Sequence, residues 1–238
     1  MKQRPAERGP FTCAKQFQMD TLSINGSRNP LQELRGGIAF WRSKRDSRWP
    51  ADFHNADYKE WANAPCDFSD DWWVPFRRRL NDWIAIRPAT YAEVTERFVA
   101  RRHALARAWA TSCAPYQDSD ITGVTWSQVS EFADLAGEIK PMKHLASPVF
   151  TSKFCHFLLP KVFPVVDNEG SGNCWSRYED YFKHVQSIWA STPDRVRAAL
   201  ASEMKKAVES SGHTLNPEFP LVSKIVELRL IGRRHPLD

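Results

Sequence analysis

Lys153 and Asp167 are the two residues whose types and spacing point most directly to chemistry. They lie in the stretch Thr151–Asn168, TSKFCHFLLPKVFPVVDN, where a lysine opens a short apolar helix and an aspartate closes an apolar loop. The helix must stop before Pro160, because proline supplies no amide hydrogen and forces its predecessor out of the helical region. With Thr151 or Ser152 as cap, the helix has about two turns, roughly 12 Å. An extended chain covers roughly 3.3 Å per residue, so Lys161–Asp167 is long enough to return to the start of the helix. The two side chains are therefore expected to meet. At a helix N-terminus, among Val149, Phe150, Phe154 and Phe157, the lysine is disfavoured as an ammonium and pushed toward a nucleophilic amine. An amine of that kind attacks an electrophilic carbon, and a nearby carboxylate stabilises positive charge or activates the amine. The same residues also fit an ordinary ion pair, with Asp167 and Asn168 capping a turn.

The elements that must position this pair are helical. Apolar residues recur at helical spacing through Trp73, Phe76, Leu80, Trp83 and Ile84, and again through Tyr91, Val94, Phe98, Leu105 and Trp109. Thr90 with Glu93, Thr125 with Gln128 and Ser176 with Glu179 are spaced as capping boxes. A last helix is expected over Leu221–Ile231, stopping at Gly232. The ten tryptophans are expected mainly in the core. Residues 1–30 are polar and broken by proline and glycine, which predicts an N-terminal arm ahead of a single helical domain over 31–238, with a cleft between two helical lobes near 125–190. The fold class is mainly α and multi-helical.

With 238 residues, the chain can bury a sizeable core without disulfides. A formal charge of +5 favours a polyanionic partner. Arg77, Arg78 and Arg79 lie between the apolar positions of one helix, with at least two expected to face solvent, and Arg233 and Arg234 follow the last helix. These arginines read either as solvated faces or as phosphate contacts. The five cysteines show no C-x-x-C pair, so no metal or cofactor is expected, and scattered thiols fit a reducing cytoplasm. No apolar run reaches the roughly 20 residues that span a bilayer, so no membrane association is expected.

A lysine opening a short apolar helix, followed by a loop ending in Phe163-Pro164-Val165-Val166-Asp167, resembles the catalytic segment of the helix-hairpin-helix DNA glycosylase superfamily. The resemblance covers Thr125 to Trp189. It implies a helix-hairpin-helix DNA-glycosylase-like fold, acting as a monomer on double-stranded DNA to excise a damaged or modified base, including a modified base of phage DNA. It implies base flipping, Lys153 as the amine that attacks the sugar C1′ with associated strand cleavage at abasic sites, and Asp167 assisting base departure. Phe150, His156 and Trp175 are the nearest aromatic residues for stacking on an extruded base, though Phe150 also fits a core position and His156 a helix face. Asn168 either reads a base edge or caps a turn, and Ser152 is placed to contact DNA. The chain departs from the superfamily in three ways. Pro141–Pro148 holds no glycine where a G-x-G hairpin grips phosphate, the lysine-to-aspartate spacing is shorter, and no C-terminal four-cysteine cluster is present. Two other functions fit the same composition: a non-catalytic helical module that binds DNA or RNA through its arginines, and an interaction protein that uses its tryptophans.

Overall fold

Asn29 starts the first described helix by accepting a hydrogen bond from the Leu31 amide at 2.9 Å, and Pro30 takes the first helical position, where a missing N–H costs little. The computed structural model describes residues 29–44, 48–63, 66–140, 148–167 and 175–237. Nearly all of the expected arm lies outside the described residues, as do Asn168 and the glycine-free stretch over 141–147. The described helices are α1 (Pro30–Ser43), α2 (Asn55–Asn63), α3 (Asp70–Asp82), α4 (Tyr91–Ala108), α5 (Trp126–Gly137), α6 (Pro148–His156), α7 (Tyr178–Ala190), α8 (Asp194–Glu209) and α9 (Leu221–Arg234). No strand occurs among the described residues, so the chain is mainly α-helical, as its periodicity predicts. None of the described helices is long and apolar enough to cross a membrane.

α9 is the inner helix. Ile225, Val226, Leu228 and Ile231 are fully buried, and Lys224, Glu227 and Arg229 are buried with them. A helix buried on most of its faces needs neighbours all round. Its closest neighbour is α1, and glycines let the two backbones nearly touch. A Cβ at Gly37 would lie 1.9 Å from the Leu228 carbonyl oxygen, and one at Gly232 would lie 1.8 Å from that of Glu33. Gly232 therefore does not stop the last helix as expected. It is a crossing contact inside a helix that continues to Arg234. Glu33 locks the crossing by accepting from Arg229 at 2.9 Å and from Arg233 at 2.8 Å.

α3 and α4 carry the expected stripes, with Trp73 stacked on Phe98 at 4.2 Å and its indole N–H donating to Thr95 Oγ1. Burial of such rings contributes about 2–3 kcal/mol each. α3 ends at Asp82, however, so Trp83 and Ile84 leave the stripe, and Ile84 adopts a left-handed conformation at φ 56°. Tyr91 also leaves its stripe and is exposed. None of the ten tryptophans is exposed, in keeping with a core role.

The first capping box forms, with Glu93 accepting from the Thr90 amide at 2.8 Å, and at the second Gln128 accepts from the Thr125 amide at 2.7 Å. The third does not form. α7 begins one residue later than expected, with Arg177 at the N-cap, and Glu179 pairs instead with Arg177 and Lys183.

Candidate active site

α6 and the loop after it hold Lys153 and Asp167. The helix starts at Pro148, earlier than the sequence suggests, so Lys153 lies in its last turn and not at its N-terminus. The expected dipole effect is thereby reversed, because the C-terminal end of a helix favours a cation. The Lys153 amine is nonetheless held below the usual lysine range. Burial is the main cause, opposed by the charges of Asp167 and Glu227 and reinforced by Arg48 and Lys140. Its Nζ donates to the Trp83 carbonyl at 2.7 Å and lies 5.9 Å from the centre of the Trp83 ring.

Buried polar groups fix the return loop against α6. Ser152 Oγ donates to the Val149 carbonyl and accepts from the Val166 amide, both at 3.0 Å. The Tyr178 hydroxyl donates to the Pro164 carbonyl at 2.8 Å. His156 Nδ1–H donates to the Phe163 carbonyl at 2.7 Å, leaving Nε2 to accept from the Tyr58 hydroxyl at 2.9 Å. Each loop group left unpaired would carry a desolvation cost, so these bonds define where Asp167 emerges. Ser152 has no exposed surface, which closes it to a DNA phosphate; it is a support for the aspartate loop.

His156, the last residue of α6, is likewise buried in the core and closed to stacking on a base. Burial pushes its pKa down to about 3. The unfolded chain binds a proton near 6.5, so the folded state loses stability as pH falls from about 6.5 towards 3, by up to about 1.4 kcal/mol per pH unit. Denaturant melts across this range should show that slope in the wild type and a flatter one in His156→Gln, even though the variant is less stable at pH 7.

Lys153 and Asp167 line one cavity of about 240 Å³. Trp41, Trp49, Trp83 and His54 supply much of its wall, and Ile84, exposed at 40 %, also borders it. This volume lies just below the roughly 300 Å³ at which small-molecule clefts begin, a size suited to one flat ring system. Lys224 and Glu227 enter the same cavity from α9, with Lys224 Nζ 2.7 Å from Glu227 Oε2. Glu227 is held above the usual carboxylate range by burial, with the Lys224 ammonium acting against the rise. His54 is fixed by Asp57 at Nδ1, 2.8 Å, and by the Arg48 carbonyl at Nε2, 3.0 Å.

The other predicted residues are dispersed. Phe150 is buried and borders a separate cavity of about 520 Å³, shared with Trp126, Glu138, Lys140 and Arg177. Trp175 packs on Tyr181 and His184 and is not among the residues around Lys153. Of the three α3 arginines, only Arg78 is exposed, contrary to the expectation that at least two would be. Arg77 donates to Thr95 Oγ1 at 2.6 Å and lies over Tyr91, while Arg79 pairs with Glu60 and lies over Trp61. Arg233 is drawn to Glu33, and Arg234 is exposed.

Lys224, Glu227, His54 and the cavity tryptophans were not singled out from the sequence. The available signal was a lysine and a glutamate one turn apart within the apolar run of α9. Among the described cysteines, Cys66, Cys113 and Cys155 are free thiols, and none borders this cavity; burial pushes Cys113 up to about 12. A scan against protein-family models finds no match, and searches of curated proteins and of solved structures find none.

Proposed function

We propose that the chain is a DNA glycosylase that receives a flipped base in the Lys153–Asp167 cavity and attacks the sugar C1′ with the Lys153 amine. The observation that carries this reading is the placement of a buried lysine amine, its pKa lowered by that burial, and a carboxyl group on one small, tryptophan-walled cavity. Base flipping is needed because neither C1′ nor the departing base is reachable inside a duplex. In the chemical step the amine forms a bond to C1′ as the bond from C1′ to the base breaks. The base leaves with the electron pair, and the amine proton passes to Asp167. The nitrogen lone pair then forms the C1′=N bond of a protonated Schiff base as the C1′–O4′ bond breaks and O4′ takes the proton back from Asp167. Loss of a C2′ proton to the Asp167 carboxylate, with the 3′ phosphate leaving with the electron pair of the C3′–O bond, cleaves the strand. Exposed Arg78 and Arg234 are candidates for phosphate contact.

The test is borohydride trapping on duplex DNA bearing abasic sites and a panel of damaged and phage-type modified bases. A covalent adduct supports the reading. Absence of both adduct and base release across the panel would sink it and leave the non-catalytic DNA- or RNA-binding alternative. Asp167→Asn is expected to slow base release by about 10²-fold while leaving trapping on a preformed abasic aldehyde largely intact, because the aldehyde needs only the amine. Single-turnover assays on the two substrates measure that difference.

A further inference from the structure

Lys224 and Glu227 are 1 % and 4 % exposed, yet both border the cavity. Ion pairs are expensive material for a buried wall, and apolar residues of similar volume serve stability as well or better. The proposed attack on C1′ uses neither residue. The Lys224 ammonium is held between the Glu227 carboxylate at 2.7 Å and the Trp41 ring at 4.6 Å, so its position is fixed from two sides. An ammonium has three N–H donors, of which the carboxylate takes one, and a carboxylate has two acceptor oxygens. Side by side, the two groups present a donor next to an acceptor.

We infer that the Lys224–Glu227 pair reads the edge of a planar heterocycle carrying an N–H beside a carbonyl oxygen or an unprotonated ring nitrogen, with Lys224 donating to the acceptor and Glu227 accepting the N–H. Trp41, Trp49 and Trp83 supply flat faces for such a ring, and the cavity volume admits one. The inference rests on the proposed function in treating this cavity as the pocket that holds the base. It adds a selection rule: a base with that edge blocked by alkylation is rejected, because the buried donor and acceptor would then go unpaired.

Binding of heterocycles capped at the glycosidic nitrogen to the full chain tests this, using 1-methyluracil against 1,3-dimethyluracil and 9-methylhypoxanthine against 1,9-dimethylhypoxanthine, followed by ligand-observed NMR. The wild type should prefer the unblocked member of each pair by about tenfold or more. The preference should vanish in Glu227→Gln. Because that change leaves a buried lysine poorly paired, the double variant Lys224→Met/Glu227→Leu removes both charges together and keeps the test valid if Glu227→Gln unfolds. A preference that survives in the folded double variant, an absence of preference in the wild type, or no binding of any heterocycle would each overturn the inference. Trapping measured in parallel separates the two ideas. An adduct with a preference unchanged in the variants overturns edge reading alone, and a pair-dependent preference with neither adduct nor base release overturns the glycosylase reading alone.

Discussion

Lys153→Ala is expected to abolish the borohydride-trapped adduct and to slow base release by about 10³-fold or more, the scale of losing a covalent nucleophile. Lys224 also borders the cavity, but its ammonium is engaged by Glu227, so the adduct should disappear and not move to a second lysine. Lys153→Arg sharpens the test. It keeps a long cationic donor near the Trp83 carbonyl but is never deprotonated, so it should be as inactive in trapping as the alanine variant. The pH dependence has a definite sign. Burial lowers the lysine pKa, so the fraction of neutral amine, and with it the trapping rate, should rise with pH through a midpoint below 10.5. An adduct that persists in Lys153→Ala, or a trapping rate that falls as pH rises through that range, would reject Lys153 as the nucleophile. Circular dichroism provides the check on folding.

Gly37→Ala is expected to cost about 3 kcal/mol or more, which for a chain of this size lowers Tm by about 6–12 °C. The new methyl would sit 1.9 Å from the Leu228 carbonyl oxygen and 2.6 Å from its carbon, both backbone atoms of a helix that cannot step aside locally. α1 and α9 would have to separate, stretching the bonds from Glu33 to Arg229 and Arg233. The effect reaches the site, because Trp41 is on α1 and Lys224 and Glu227 are on α9. Heterocycle binding should therefore weaken along with stability. Gly123→Ala is the control, since its nearest neighbour would be the Ser119 side chain at 3.9 Å, and thermal melts should show little change. Equal Tm values for the two variants would contradict the close crossing.

The sequence determined the features that depend on neighbours along the chain. Helical periodicity marked α3, α4 and α9, Thr90 and Glu93 marked the start of α4, and Pro160 limited α6, because capping and stripe formation act over three or four residues. It also showed that the chain is long enough for Asp167 to return towards Lys153, and both residues border one cavity. Only the tertiary structure decided what surrounds them. Whether Lys153 begins or ends its helix turned on the Pro148 start, and its lowered pKa comes from burial, which is summed over several elements. Gly232 has the sequence context of a helix stop, yet it serves a backbone contact with α1. Lys224 and Glu227 lie in an ordinary amphipathic run, and only the packing of α9 against α1, α7 and α8 makes them a buried pair, on the same cavity as Lys153. Local rules set where helices form, whereas cavities, buried charges and shifted pKa values arise where helices distant in sequence exclude water together.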